Sequence, residues 1–86
     1  MPTRLHKPGQ LRVGEFYEDC AFHPCLCVSV EAAGVLIEGV SLVSGSISRC
    51  NIRHCGLRKL SPDEAIAWRL SGPGDVEIEP ESRWWE

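Results

Sequence analysis

No run of about eighteen consecutive apolar residues occurs anywhere in this chain, which excludes a helical membrane span. The opening stretch MPTRLHKPGQ carries basic residues but no apolar segment. It does not read as a secretory signal, and the cytoplasm is the expected location. There is no internal repeat and no low-complexity segment. The five cysteines include no C-x-x-C pair. An odd thiol count without an export signal argues for reduced cysteines rather than a disulfide scaffold.

What is present is small. Eighty-six residues make at most one domain, and one thin core must carry most of its stability. A net charge of −3 argues against a nucleic-acid binder when the molecule is taken as a whole. The charges are unevenly placed. Arg49, Arg53, Arg58 and Lys59 fall in a segment, 49–59, that contains no acid. Asp75, Glu77, Glu79, Glu81 and Glu86 follow near the end, against a single Arg83. Such blocks suggest either contact with each other or a basic face for a partner.

Pro8 and Gly9 punctuate a turn at 7–10. LRVGEFY (11–17) alternates as a first strand, with Gly14 marking a bend or bulge. EDCAFH (18–23) reads as a polar loop. The strand at 25–30 is clearest: Leu26, Val28 and Val30 alternate with Cys25, Cys27 and Ser29, and Pro24 suits a first strand position. A short connection at 31–34 returns the chain through 35–42. There Val35, Ile37 and Gly39 face one side, and Leu36, Glu38, Val40 and Leu42 the other. A turn at Ser44-Gly45 leads to a weaker strand, SISRCNI.

The sharpest local pattern is LSPDEAIAWRLSGPG, which predicts a helix over 62–70. Ser61 is the N-cap, Pro62 fills the first helical position, and Glu64 completes a capping box. Asp63 and Glu64 sit at the positive end of the helix dipole, and Gly72 and Pro73 end the helix. Leu57, Leu60, Ile66 and Leu70 are expected to dock on the sheet. Residues 1–9 are expected to be a flexible N-terminus, 10–72 the folded domain and 73–86 a flexible acidic tail. Trp84 and Trp85 read either as a sticky contact or as folding back on the domain.

This order of four or five short strands before one helix resembles the SH3-like small barrels. LRVGEFYEDCAFHPCLCVSV would be their first strand, long loop and second strand, and the likeness covers roughly residues 10–60. It implies a mainly β fold: a small barrel of about five antiparallel strands with an appended C-terminal helix. It also implies binding of peptides or nucleic acid, with Phe16, Tyr17 and Phe22 as available aromatics.

The thiols allow a zinc reading built from Cys25, Cys27, Cys50 and Cys55 with His23 or His54. Their spacings depart from the usual paired ligands, and Cys25 and Cys27 lie about 7 Å apart along one strand. The competing reading makes them small hydrophobes of the core. Cys55, beside His54 and near Arg53 and Arg58, is the best nucleophile, but no group to orient the histidine is evident. A redox pair of Cys50 and Cys55 lacks both the C-x-x-C spacing and a helix N-terminus.

The expected function is therefore a non-enzymatic binding module for a protein partner, with no resident cofactor. Its surface would combine Tyr17, Phe22 and His23 with Arg49, Arg53, His54, Arg58 and Lys59. A zinc- or thiol-dependent site is one alternative. RNA or another polyanion bound through the 49–59 segment is a second, favoured by guanidinium chemistry and opposed by the acidic total. Open strand edges also allow self-association.

Overall fold

The protein is described here by a computed structural model over residues 2–86. Six strands form one antiparallel sheet: β1 (Thr3–Arg4), β2 (Phe16–Glu18), β3 (Pro24–Glu31), β4 (Leu36–Ser41), β5 (Ile47–Asn51) and β6 (Arg58–Leu60). Their order across the sheet is β1-β6-β2-β3-β4-β5. The helix α1 (Pro62–Ser71) and a 3-10 turn at Pro80–Ser82 complete the chain. The fold is thus mainly β with one short C-terminal helix. The sheet does not close into a barrel: β1 and β5 are its two edges and do not pair with each other. No helix among the described residues is long and apolar enough to cross a membrane.

Two elements escape the sequence reading. β1 falls in the segment expected to be flexible (residue 1 lies outside the described residues), and it pairs Thr3 with Lys59 and Arg4 with Arg58. β6, its partner, also pairs Phe16 with Leu60 on β2. Each of these strands is two or three residues long, too short for a period of two to show. The expected first strand at 11–17 shrinks to β2, because Leu11 drops into the core from a loop.

One face of the sheet buries Leu5, Leu11, Tyr17, Cys25, Cys27, Ile37, Cys50, Ile52 and Leu57. Cys25 and Cys27 therefore act as small core hydrophobes, as pleat alternation allows. The alternation then breaks. A register shift between Cys27 and Ser29 marks a bulge at Val28, after which Val30 packs against the core. Leu26, Val28 and Val30 do not share one face, because the extra residue reverses the pleat. Val28 is left exposed.

Gly39 has a specific role on this face. A Cβ there would stand 2.8 Å from ring carbons of Tyr17, inside any real contact distance, so the tyrosine ring lies flush on the β4 backbone.

α1 packs on the opposite face, over β2, β3 and β6. Its capping box is formed: Glu64 N donates to Ser61 Oγ (3.1 Å), and Ser61 N donates to Glu64 Oε1 (2.8 Å). The face it buries is not the expected one. Ala65 is buried and Trp68 half-buried, whereas Ile66 and Leu70 are 58% and 69% exposed. Trp68 reverses the expectation: its indole Nε1 donates to Glu18 Oε2 at 2.6 Å, and this bond fixes which stripe meets the sheet.

Residues 73–86, expected as a tail off the domain, are placed against it. Pro73 is buried, Asp75 reaches Arg58, and Trp85 lies over Gly72. Trp84 donates from Nε1 to the Trp68 carbonyl (3.0 Å) and packs edge-on against His23, with ring centroids 4.8 Å apart. Val76 and Ile78 form no strand.

Candidate functional site

The structure divides the expected surface into four places. Tyr17 is wholly buried, and its hydroxyl has no hydrogen-bond partner among the described residues. The Cys25 thiol lies beside that hydroxyl without a well-formed bond. Burial above all, then the neighbouring Cys25, drives the tyrosine pKa far upward. It belongs to the core and offers no binding surface.

Phe22 and His23 sit in the β2–β3 loop, which is organised around Asp19. Asp19 Oδ1 accepts from the amides of Ala21 and His23, both at 2.9 Å. Asp19 Oδ2 accepts from the Cys25 thiol (3.5 Å). Phe22 takes the left-handed conformation, at φ 67°. Ser41 Oγ accepts from the amides of Val43 and Ser44. His23 Nδ1 lies 3.1 Å from the same hydroxyl, within hydrogen-bonding distance. A crevice of about 360 Å3 runs between this loop and Glu77, Ile78, Glu79 and Ser82 of the tail. The loop is thus already faced by the chain's own acidic segment.

Arg58 and Lys59 are engaged within the fold. Arg58 grips Glu18 through Nε and Nη2, both at 2.8 Å, and Asp75 through Nη1 at 2.6 Å and Nη2 at 3.0 Å. Glu18 is only 2% exposed and also accepts from Trp68, so a buried charge is matched on every side. These bonds, that to Asp75 first, raise the arginine pKa and pull that of Asp75 below the usual carboxylate range. Lys59 Nζ pairs with Glu15 (2.8 Å) and lowers that carboxyl's pKa.

Arg49, Arg53 and His54 remain on the surface, on β5 and the loop after it. Arg49 pairs with Glu38 at 2.6 Å on an open face. Arg53 has no carboxylate within ion-pair distance among the described residues. Only part of the basic segment is therefore free, which weakens the polyanion reading.

The thiols do not converge on a metal. Cys25 faces Asp19 and the His23 carbonyl, and Cys27 faces the Ser29 carbonyl at 3.8 Å. Among the described residues no group of three or more His, Cys, Asp or Glu is arranged to hold an ion. Burial raises the pKa of Cys25, Cys27 and Cys50, the last to about 11, so these thiols are mostly protonated at neutral pH and react with reagents in solvent only slowly. His54, exposed, forms no hydrogen bond from its ring to any of them among the described residues.

The open strand edge that the sequence allows for is, in the structure, that of β5. β5 pairs with β4 as Val40–Ile47, Gly39–Ser48, Glu38–Arg49, Ile37–Cys50 and Leu36–Asn51. The flanking bonds Ser41 N to Ser46 O and Ile52 N to Val35 O set the phase of the ladder. Alternation then gives Ser48 and Cys50 the bonds to β4 and turns the N–H and C=O of Ile47 and Arg49 outward. Among the described residues no strand lies beyond them. On the same face Leu36, Glu38 and Val40 stand beside Ile47, Arg49 and Asn51 by register. Leu36 and Ile47 are 48% and 58% exposed. A crevice of about 230 Å3 is lined there by Ser29, Glu31, Leu36, Ile37, Glu38 and Arg49. The available signal was weak: Ile47 alone among serines, with no cysteine or glycine pattern to show which strand ends the sheet. Comparison with protein-family models, curated proteins and solved structures returns no match.

Proposed function

We propose that this chain is a non-enzymatic binding module that takes an extended, acidic segment of a protein partner as an added strand along β5. The observation that carries the reading is the outward pair of backbone N–H and C=O groups at Ile47 and Arg49, on an edge that no other strand among the described residues covers. Main-chain bonds to such an edge supply affinity, and side-chain contacts on alternate positions supply selectivity. Ile47 and Leu36 offer apolar contact. Arg49 and Arg53 favour carboxylates, and the exposed Glu38–Arg49 pair is worth little enough to exchange for a partner's acid.

The SH3-like relationship is part of the proposal, supported by the β3–β4–β5 meander with β2 and β6 running beside it. A cytoplasmic setting also belongs to it, supported by the buried Cys25 and Cys27 thiols, which face oxygen acceptors rather than each other.

The test is an amide-resolved NMR titration of the full chain with a synthetic peptide of alternating glutamate and valine. Binding should shift and protect Ile47 and Arg49. Arg49→Pro removes an outward N–H that the ladder does not use, so the fold should persist and the shifts vanish. Shifts confined to Phe22 and His23, or none at all, would refute the reading.

A further inference from the structure

The paired thiols at the end of β5 are untouched by the binding reading, and they have a chemistry of their own. Cys50 is the last inward residue of β5 and is 4% exposed. After it the chain makes one tight turn: His54 N and Cys55 N both donate to the Asn51 carbonyl at 3.0 Å. The four-residue bond from Cys55 back to Asn51 stacks residue 55 over the end of the strand, as in a helical turn. Cys55 consequently packs against the core cluster that contains Cys50, while remaining partly exposed. The charge of either thiol would act on the other, which places the two near each other.

The remaining cysteines are placed differently. Cys25 and Cys27 are fully enclosed and aimed at oxygen acceptors. Cys20 is exposed, near enough for its charge to act on Cys50 but outside its hydrogen-bonding contacts. A partly exposed thiol near a buried one is the arrangement of an entry cysteine and a resolving cysteine.

We propose that Cys50 and Cys55 form a dithiol site that a low-molecular-weight disulfide oxidises to an intramolecular disulfide. In the first step the Cys55 thiolate attacks the small disulfide. Its S–S bond breaks, a Cys55 mixed disulfide forms, and one small thiol leaves. In the second step the Cys50 thiolate attacks the Cys55 sulfur. The Cys50–Cys55 bond forms and the second small thiol leaves. Overall the protein thiols lose two electrons and two protons, and the small disulfide takes up both to become two thiols. The buried Cys50 never has to meet the reagent in solvent, because Cys55 brings the electrophilic sulfur to it.

The experiment uses the full chain carrying Cys20→Ser, which removes the exposed competitor, with oxidised glutathione as the reagent. Alkylation and peptide mapping follow, beside a denatured control. The folded chain should yield a Cys50–Cys55 link, with Cys25 and Cys27 still reduced. The natural chain should yield the same link together with glutathione on Cys20. Adding Cys50→Ser should leave glutathione on Cys55, in about tenfold greater yield than when Cys50 is present. Closure of the mixed disulfide should accelerate with pH, approaching tenfold per unit, because Cys50 must ionise first. A stable Cys55 mixed disulfide with Cys50 still free would overturn the proposal. So would an unreactive Cys55, a link from Cys50 to Cys20 in the natural chain, or a folded chain that pairs its cysteines as the denatured control does.

Discussion

Tyr17 and Gly39 set the spacing of the core between them. Tyr17 is the largest enclosed side chain, and its ring rests where a Cβ of residue 39 would be. Gly39→Ala is therefore expected to lower stability by about 1–3 kcal/mol in denaturant titrations, because the neighbour is a packed ring rather than a flexible chain end. Gly74→Ala, with nothing near it and no left-handed backbone, should be close to neutral. The tyrosine hydroxyl is buried without a partner among the described residues, so Tyr17→Phe should leave stability unchanged or raise it by up to about 1 kcal/mol in the same assay. A clear loss there would mean that the hydroxyl has a partner after all. The position of Tyr17 was illegible because Phe16 and Tyr17 are adjacent aromatics on a three-residue strand, and nothing local says which one points inward. Cys25 and Cys27 were legible, since thiols two apart on a long strand share a face and behave as hydrophobes.

Among elements, α1 shows both what local sequence determines and where it stops. Its ends follow from side chains within a few residues: the Ser61–Glu64 box at one end and Gly72 at the other, with φ 75° under the Trp85 ring. Its orientation follows from Glu18, some fifty residues away in sequence, which draws Trp68 toward the sheet. Ser61→Ala should accordingly cost about 1 kcal/mol. Ile66→Ala should change stability by no more than about 0.5 kcal/mol, as an exposed position does. Chemical denaturation of the two variants checks both values. If Ile66→Ala proved as damaging as a core truncation, the helix would be docked through the other stripe. The bulge at Val28 was likewise unreadable, because no glycine marks it and Ser29 fits the alternation of an unbroken strand.

At the scale of the whole molecule, the opposite charge blocks meet at one point among the described residues, where Arg58 of the basic segment reaches Asp75 of the tail. Arg58 joins a strand carboxylate, Glu18, to the tail carboxylate, Asp75, and Trp68 brings the helix to the same point. The pKa of Asp75 is lowered in the fold, so its contribution is complete above its ordinary pKa of 3.8 and is lost as pH falls through the lower folded value. The stabilities of the natural chain and Asp75→Asn should therefore differ at neutral pH, and the difference should begin to shrink below about pH 4 and vanish below the lowered folded pKa, when unfolding midpoints are compared across pH. A difference that persisted in acid would show that Asp75 acts by something other than its charge. With Arg58 held by Glu18 and Asp75 and Lys59 paired with Glu15, Arg49 and Arg53 mark the edge left for a partner. Amide hydrogen exchange along β5 tests that edge most directly. Ser48 and Cys50 should be protected and Ile47 and Arg49 should exchange freely, with protection of the latter two appearing only when the glutamate–valine peptide is added. Slow exchange at Ile47 and Arg49 in the isolated chain would contradict the account, because it would mean that the edge is already paired.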